Sequence, residues 1–265
     1  MKTPKICVSL RGNTVDSLLK DAKIAKELDA DLVEISLDYL YVRKIKNNFE
    51  DMDEESNNNS KNEILEIIEI ELEEMFSSIS KLSQSIELPI IYSCKTKDNG
   101  GYFQGSEDER IEILKKTIEM QPEWVDLEIE IGKSDRLELS ELASDKTKII
   151  ASLYSSDHIP SASEIIQDAN EIKNLGDLIK VCYKTNNRSE GMKLFEAAWE
   201  LKNSSYDKII MGDGPGGDWS QIHAPLLNQF MVFSTTETGW HLAQRGEINV
   251  PDLKTAWSLL QYTEE

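Results

Sequence analysis

Lys180 is the residue whose setting invites chemistry. It lies in Gly176-Asp177-Leu178-Ile179-Lys180-Val181-Cys182-Tyr183-Lys184, whose apolar and β-branched residues read as a strand. An ammonium flanked by Ile179 and Val181 in a strand apolar on both sides is costly to bury charged. Full desolvation lowers a lysine pKa by up to about 3–5 units, and the neutral amine is a nucleophile towards carbonyl carbons. On strand pattern alone, a strand-end lysine with its head in water is the simpler reading. Carboxylates elsewhere shift the balance. Leu32-Val33-Glu34-Ile35-Ser36-Leu37-Asp38 places Glu34, Ser36 and Asp38 on one face, and Val125-Asp126-Leu127-Glu128-Ile129-Glu130 repeats the pattern with three acids.

The elements that must position these groups alternate along the chain. Strand-like runs lie near 6–10, 32–38, 89–96, 124–130, 148–154, 178–183, 208–212 and 230–235. Helical patterns lie near 14–28, 62–85, 107–120, 136–144, 163–175, 188–203, 218–228 and 251–261. Eight strand-helix units predict an α/β fold, a single (β/α)₈ TIM barrel over 1–265, with its site at the C-terminal strand ends. A doubly wound open sheet is the runner-up, but no Gly-x-Gly-x-x-Gly follows the first strand. The apolar strand faces belong against the helices, so the acidic faces of the second and fourth runs should point into the barrel. A polar, acidic, low-complexity insertion at about 46–62 interrupts the rhythm after the second strand.

Composition narrows the function. With 49 acidic against 29 basic residues the net charge is −20, which argues against nucleic acid and anionic membrane surfaces. No apolar run is long enough to span a bilayer, and the first residues show no secretory h-region. Three scattered cysteines, Cys7, Cys94 and Cys182, suit reduced thiols and a cytoplasmic location. The histidines His158, His223 and His241 have no metal-ligand spacing, so no metal is expected. Gly212-Asp213-Gly214-Pro215-Gly216-Gly217 follows a strand as a phosphate cradle would, but Asp213 and Asp218 disfavour an anion and suggest a turn. Trp219 and Trp240 are candidates for the pocket mouth, while Trp257 suits core packing in the last helix.

Several stretches together resemble type I 3-dehydroquinate dehydratases, (β/α)₈ enzymes of the shikimate pathway that use a lysine Schiff base. They are Ala30–Asp38, Lys95-Thr96-Lys97-Asp98-Asn99-Gly100-Gly101-Tyr102-Phe103-Gln104-Gly105-Ser106, Val125-Asp126-Leu127-Glu128 and Gly176–Lys180. The resemblance runs nearly end to end, in the shorter form that lacks an N-terminal hairpin. It implies that Lys180 forms the Schiff base, that Glu34 lies in the substrate pocket and that Met211 forms its wall. No cofactor is implied, the partner is a small carbonyl substrate, and a homodimer is a possible assembly.

The departures from that family are concentrated in the site. Ser36 and Lys95 stand where it has arginines, and Asn99 stands where it has the glutamate that orients the catalytic histidine. Between the anchors Lys148-Ile149-Ile150 and Pro160-Ser161, the family's Ser-x-His aligns with Ser152-Leu153-Tyr154, which puts Tyr154 in the histidine's place. Ser156-Asp157-His158 is the other candidate and needs a compensating deletion. Gln221 replaces the arginine that holds the substrate carboxylate, which forfeits roughly 2–5 kcal/mol. Glu247 replaces the closing glutamine and is expected to repel a carboxylate. Tyrosine, with a pKa of about 10, is a poorer base than histidine but a usable acid. The expected site is therefore Lys180 and Tyr154 in catalysis, with Glu34, Ser36, Lys95, Met211, Gln221 and Glu247 around the substrate. Two other functions stay open: an aldolase-like Schiff-base enzyme with Glu34 or Asp38 as base, acting on a carbonyl compound without the usual carboxylate, and a non-catalytic relative.

Overall fold

The structure, a computed structural model, describes residues 3–45, 64–155 and 159–262. In chain order its elements are β1 (Lys5–Ser9), α1 (Val15–Glu27), β2 (Leu32–Ser36), β3 (Val42–Ile45), β4 (Ile64–Ile67), α2 (Leu72–Ser85), β5 (Ile90–Ser93), α3 (Glu107–Glu119) and β6 (Trp124–Glu128). There follow α4 (Lys133–Ala143), β7 (Lys148–Ser155), α5 (Ala162–Ile172), β8 (Leu178–Lys184), α6 (Arg188–Glu200), β9 (Lys208–Asp213), α7 (Gly217–Ile222), β10 (Met231–Ser234) and α8 (Val250–Leu259).

Eight strands form one sheet in the order β10-β1-β2-β5-β6-β7-β8-β9, and every pair in it is parallel. Parallel neighbours need crossover helices, and the helices supply them, giving the expected (β/α)₈ barrel. The seam between β9 and β10 carries no ladder. The amide of Gln229 fills it: Ile210 N–H donates to Oε1 at 2.6 Å, and Nε2 donates to the Ile210 carbonyl at 2.9 Å. Phe230 N–H adds a bond to the Lys208 carbonyl at 3.0 Å.

Strand alternation builds the interior in layers. Cys7, Leu32, Ile91, Trp124, Ile150, Leu178 and Ile209 pack together inside the barrel with Met231 and Phe233. Two residues further along the same strands come Ser9, Glu34, Ser93, Asp126, Ser152, Lys180 and Met211, so the period of two sets a largely polar layer on an apolar floor. The opposite faces, with Val33, Ile35, Val125, Leu127, Val181 and Ile210, pack under the helices.

The helix expected over 62–85 begins only at Leu72. Its first part is strand instead, because β4 pairs antiparallel with β3, Val42 opposite Ile67 and Arg43 opposite Glu66. The isoleucines that fit a helical stripe also suit a pleated strand once a partner is available. The helix expected over 218–228 is only the six residues of α7, followed by turns. The 46–62 insertion lies outside the described residues.

Candidate active site

A cavity opens at the C-terminal ends of the strands. Lys180, Tyr154, Glu34, Ser36, Lys95, Met211, Gln221 and Glu247 all line it, together with Arg11, Asn99, Cys182, Phe233 and Arg245 among others. Lys180 is 2% exposed. Its Nζ donates to Asp126 Oδ2 and lies 3.7 Å from Glu34 Oε1. It also faces the rings of Phe233 and Tyr154, at 4.6 and 5.2 Å from their centroids. A buried ammonium is therefore matched by two carboxylates and two aromatic faces, as burial of a charge requires.

Asp126 is the hub of the site. Besides Lys180, it accepts from Ser152 Oγ, and its Oδ2 accepts from Tyr154 Oη at 3.2 Å. The register explains the convergence: Ser152 lies beside Lys180 across β7 and β8, and Tyr154 is two residues further on the same inward face. Burial pushes the Tyr154 hydroxyl well above its ordinary 10, and Asp126 and Glu34 push it further, so it keeps its proton. Burial alone would raise Glu34, but Lys95, Lys180, a 2.7 Å bond from Ser9 Oγ and Arg11 bring it down to about 2. Burial likewise works against the charge on Lys95, yet Glu34, Asp38 and Asp126 raise its pKa, and it stays charged 4.8 Å over the Tyr154 ring.

Two further acids support the site without lining the cavity. Asp38, expected on the inward face of its strand and as an alternative base, is fully buried. It accepts from Ser36 Oγ at 2.5 Å, Lys95 N–H at 3.1 Å and Tyr102 N–H at 3.0 Å, which pins the loop carrying Lys95. Glu128, expected to face the barrel interior as a lysine partner, turns to Arg110 Nη1 at 2.8 Å and Asn99 Nδ2 at 2.9 Å. Burial still holds it up at about 7.

The mouth differs from expectation. Glu247 does not stand as an uncompensated charge, because it pairs with Arg11 and with Arg245, the latter at 2.9 Å. Gln221 Nε2 donates to the Gly246 carbonyl at 3.3 Å, between those two residues. Gly246 has φ +70°, and a Cβ there would meet the Gly214 carbonyl at 2.3 Å, so only glycine lets this loop close on the turn after β9. Neither Trp219 nor Trp240 lines the cavity. Arg188 stacks over Trp219, and Trp240 is 77% exposed. Trp257 is buried under α8. His158 lies outside the described residues.

The match of the chain to known proteins agrees with this geometry. The family model for type I 3-dehydroquinase matches residues 6–264. The chain belongs to the type I 3-dehydroquinase family. The 3-dehydroquinate dehydratase of Methanocaldococcus jannaschii is 25% identical over 202 residues, 75% of this chain and 89% of that protein. That of Methanococcus vannielii is 26% identical over 260 residues, 97% of this chain and all of its own. A crystal structure of type I 3-dehydroquinate dehydratase from Clostridium difficile, 20% identical, superposes with a TM-score of 0.78 over 98% of this chain and 93% of its own. Known members of the family are carbon–oxygen lyases. No described helix is long and apolar enough to cross a membrane.

Around this cavity, sequence reasoning placed Asp126 only as one of three inward-facing acids and assigned no role to Arg11, Arg245 or Phe233. The signal for Asp126 was present, since it shares the inward face of its strand with Glu128. Which of the two reaches Lys180 depends on barrel register, which a single strand does not reveal. Arg11 and Arg245 lie in loops, where no periodicity points a side chain.

Proposed function

We propose that the protein is a lysine Schiff-base lyase of the 3-dehydroquinate dehydratase kind, acting in the shikimate pathway with Lys180 as nucleophile. One observation carries this reading: the buried Lys180 amine and the Tyr154 hydroxyl meet on the same oxygen of Asp126. That arrangement supports the reading because Schiff-base chemistry calls for a nucleophile, a proton acceptor and a proton donor around one point.

The chemistry then runs in balanced steps. Lys180 Nζ passes a proton to Asp126 and attacks the substrate ketone. The carbinolamine takes the proton back onto its hydroxyl and loses water to give the iminium. The iminium acidifies the adjacent C–H, Asp126 removes that proton, and the enamine expels the β-hydroxyl as water protonated by Tyr154. Tyr154 recovers its proton from Asp126, and hydrolysis of the iminium frees Lys180 and the enone. Glu34 and Lys95 hold the field constant through these steps, the first ionised and the second protonated.

An enamine also forms when a C–C bond breaks, so an aldolase-like reaction is the second reading. It is favoured by the tyrosine at the proton-donor position, which supplies a proton without needing to act as a strong base. Purified protein given 3-dehydroquinate, followed by enone absorbance and by borohydride capture, separates the two. Enone formation supports the dehydratase. Capture without enone supports the second reading, and neither signal indicates a non-catalytic relative.

A further inference from the structure

The segment Lys95–Tyr102, between β5 and α3, brings Lys95, Asn99 and Gly100 into the cavity wall. It is a tight turn closed on Thr96, whose carbonyl accepts from Gly101 N–H at 2.8 Å and from Asn99 N–H at 3.2 Å. Two buried carboxylates that do not line the cavity tie this turn to the barrel. Asp38, past the end of β2, accepts from its first and last amides, Lys95 N–H and Tyr102 N–H. Glu128, the last residue of β6, accepts from Thr96 N–H at 3.3 Å and from Asn99 Nδ2 at 2.9 Å.

Glu128 is aimed in turn by Arg110 of α3. Arg110 Nη1 donates to Glu128 at 2.8 Å and to the Cys94 carbonyl at 3.1 Å, while Nε and Nη2 hold Glu107 at 2.8 and 2.7 Å. An ionised carboxylate can accept from the amide, the side-chain amide and the guanidinium at once. Protonation turns one of its oxygens into a donor and weakens all three bonds.

We propose that Glu128 is a positioning residue: its carboxylate holds the Lys95–Tyr102 turn so that the Lys95 ammonium stays over the Tyr154 ring, and it loosens that turn when protonated. The effect on turnover rests on the reading of Lys180 and Tyr154 as catalytic groups; the hold on the turn does not. Lys95 sits 4.8 Å from the Tyr154 ring centroid and feels Glu34, Asp38 and Asp126, so a shifted turn disturbs the field around the reacting groups.

The surroundings of Glu128 set where the change falls. Burial lifts its carboxyl to about 7; Arg110, Asn99 and Thr96 oppose the lift, and Asp126 adds to it. Glu107 stands behind Arg110, and Arg136 of α4 donates to the Glu128 carbonyl. Cys94 and Tyr154 feel its charge, and Glu130 shares the Asn99 donor.

The test compares the wild type, Glu128→Gln and Asn99→Ala in two measurements. The first is the pH profile of kcat/KM for 3-dehydroquinate. The wild type should fall roughly tenfold to a lower plateau as pH drops through about 7. Glu128→Gln should stay at the lower level with no limb there. Asn99→Ala removes a donor that favours the carboxylate, so its limb should move to higher pH. A purely structural Glu128 would lower stability and leave the limb in place. The second measurement is hydrogen exchange of the 95–102 amides, corrected for its intrinsic pH dependence, which needs no substrate. Thr96 should exchange roughly tenfold faster in Glu128→Gln, and wild-type protection should fall on acidification through about 7. Should Glu128→Gln fail to fold, Asn99→Ala, at a half-buried turn position, carries both measurements through the displaced midpoint. A wild-type profile without the limb, a limb that survives in Glu128→Gln, or Thr96 protection indifferent to pH and variant would overturn the proposal. Absence of turnover and of any borohydride adduct, with Thr96 protection following Glu128, would remove the Schiff-base reading and leave the hold on the turn standing.

Discussion

Lys180 and Tyr154 share one atom: the Lys180 amine and the Tyr154 hydroxyl both donate to Oδ2 of Asp126, the hydroxyl at 3.2 Å. Removing the carboxylate charge should therefore disable the amine and the acid together. Asp126→Asn is expected to slow turnover by about 10²–10⁴-fold, the usual worth of positioned proton transfer. It should also slow imine formation, read as the rate of borohydride capture in single-turnover experiments.

Tyr154→Phe separates the two roles. The nucleophile and its proton acceptor remain, so capture on Lys180 should persist while turnover falls by roughly 10²-fold. Burial, Asp126 and Glu34 hold the Tyr154 hydroxyl protonated, so the wild-type rate should show no tyrosine limb near neutral pH. Capture that falls in step with turnover would assign Tyr154 to imine formation instead.

Restoring the family pattern at two positions should help more than at either one. Tyr154→His supplies a group titrating at about 6.5, and Gln221→Arg supplies a guanidinium for a carboxylate. The double variant should exceed both single variants in kcat/KM for 3-dehydroquinate, because residues acting as one unit are non-additive. A double variant no better than either single variant would contradict the alignment of Tyr154 and Gln221 with the family's histidine and arginine.

Glu34 gives the site a pH signature in stability. Burial opposes its ionisation, but Lys95, Lys180, Ser9 and Arg11 hold it at about 2, below its ordinary 4.5. Depression of an acid stabilises the fold above the unfolded pKa, and that contribution is lost as pH falls from about 4.5 through 2. A shift of that size corresponds to about 3 kcal/mol. In urea titrations Glu34→Gln should be less stable than the wild type at pH 7, with the gap narrowing on acidification towards pH 3. A gap independent of pH would mean that Glu34 acts through packing rather than charge.

Much of this was legible before the fold was known, for reasons that differ by element. Lys180 and Glu34 could be placed inside because a period of two admits only two faces and the helices claim the apolar one. The strand-helix alternation gave the barrel, since parallel strands need crossovers. What stayed hidden depends on contacts distant in sequence. Asp126 reaches Lys180 from 54 residues away, and Glu247 meets Arg11 from 236. Gln229 reads as a loop polar residue until its amide is seen to close the β9–β10 seam. The β3–β4 hairpin was lost because isoleucines spaced for a helix also fit a strand, and only the partner strand decides.

The seam has its own test. Gln229→Ala leaves the buried N–H and carbonyl of Ile210 without their partners, at a cost of roughly 2–4 kcal/mol. Thermal melts should show a lowered midpoint with the fold retained. An unchanged midpoint would mean that water satisfies the seam equally well.

The most direct measurement is where a ketone becomes attached. The protein is incubated with 3-dehydroquinate, reduced with borohydride, digested and mapped by mass spectrometry. The expected result is one reduced adduct on the peptide containing Lys180, absent from Lys180→Arg. Turnover of 3-dehydroquinate without any adduct, or an adduct on Lys95 in place of Lys180, would contradict the assignment of Lys180 as the nucleophile.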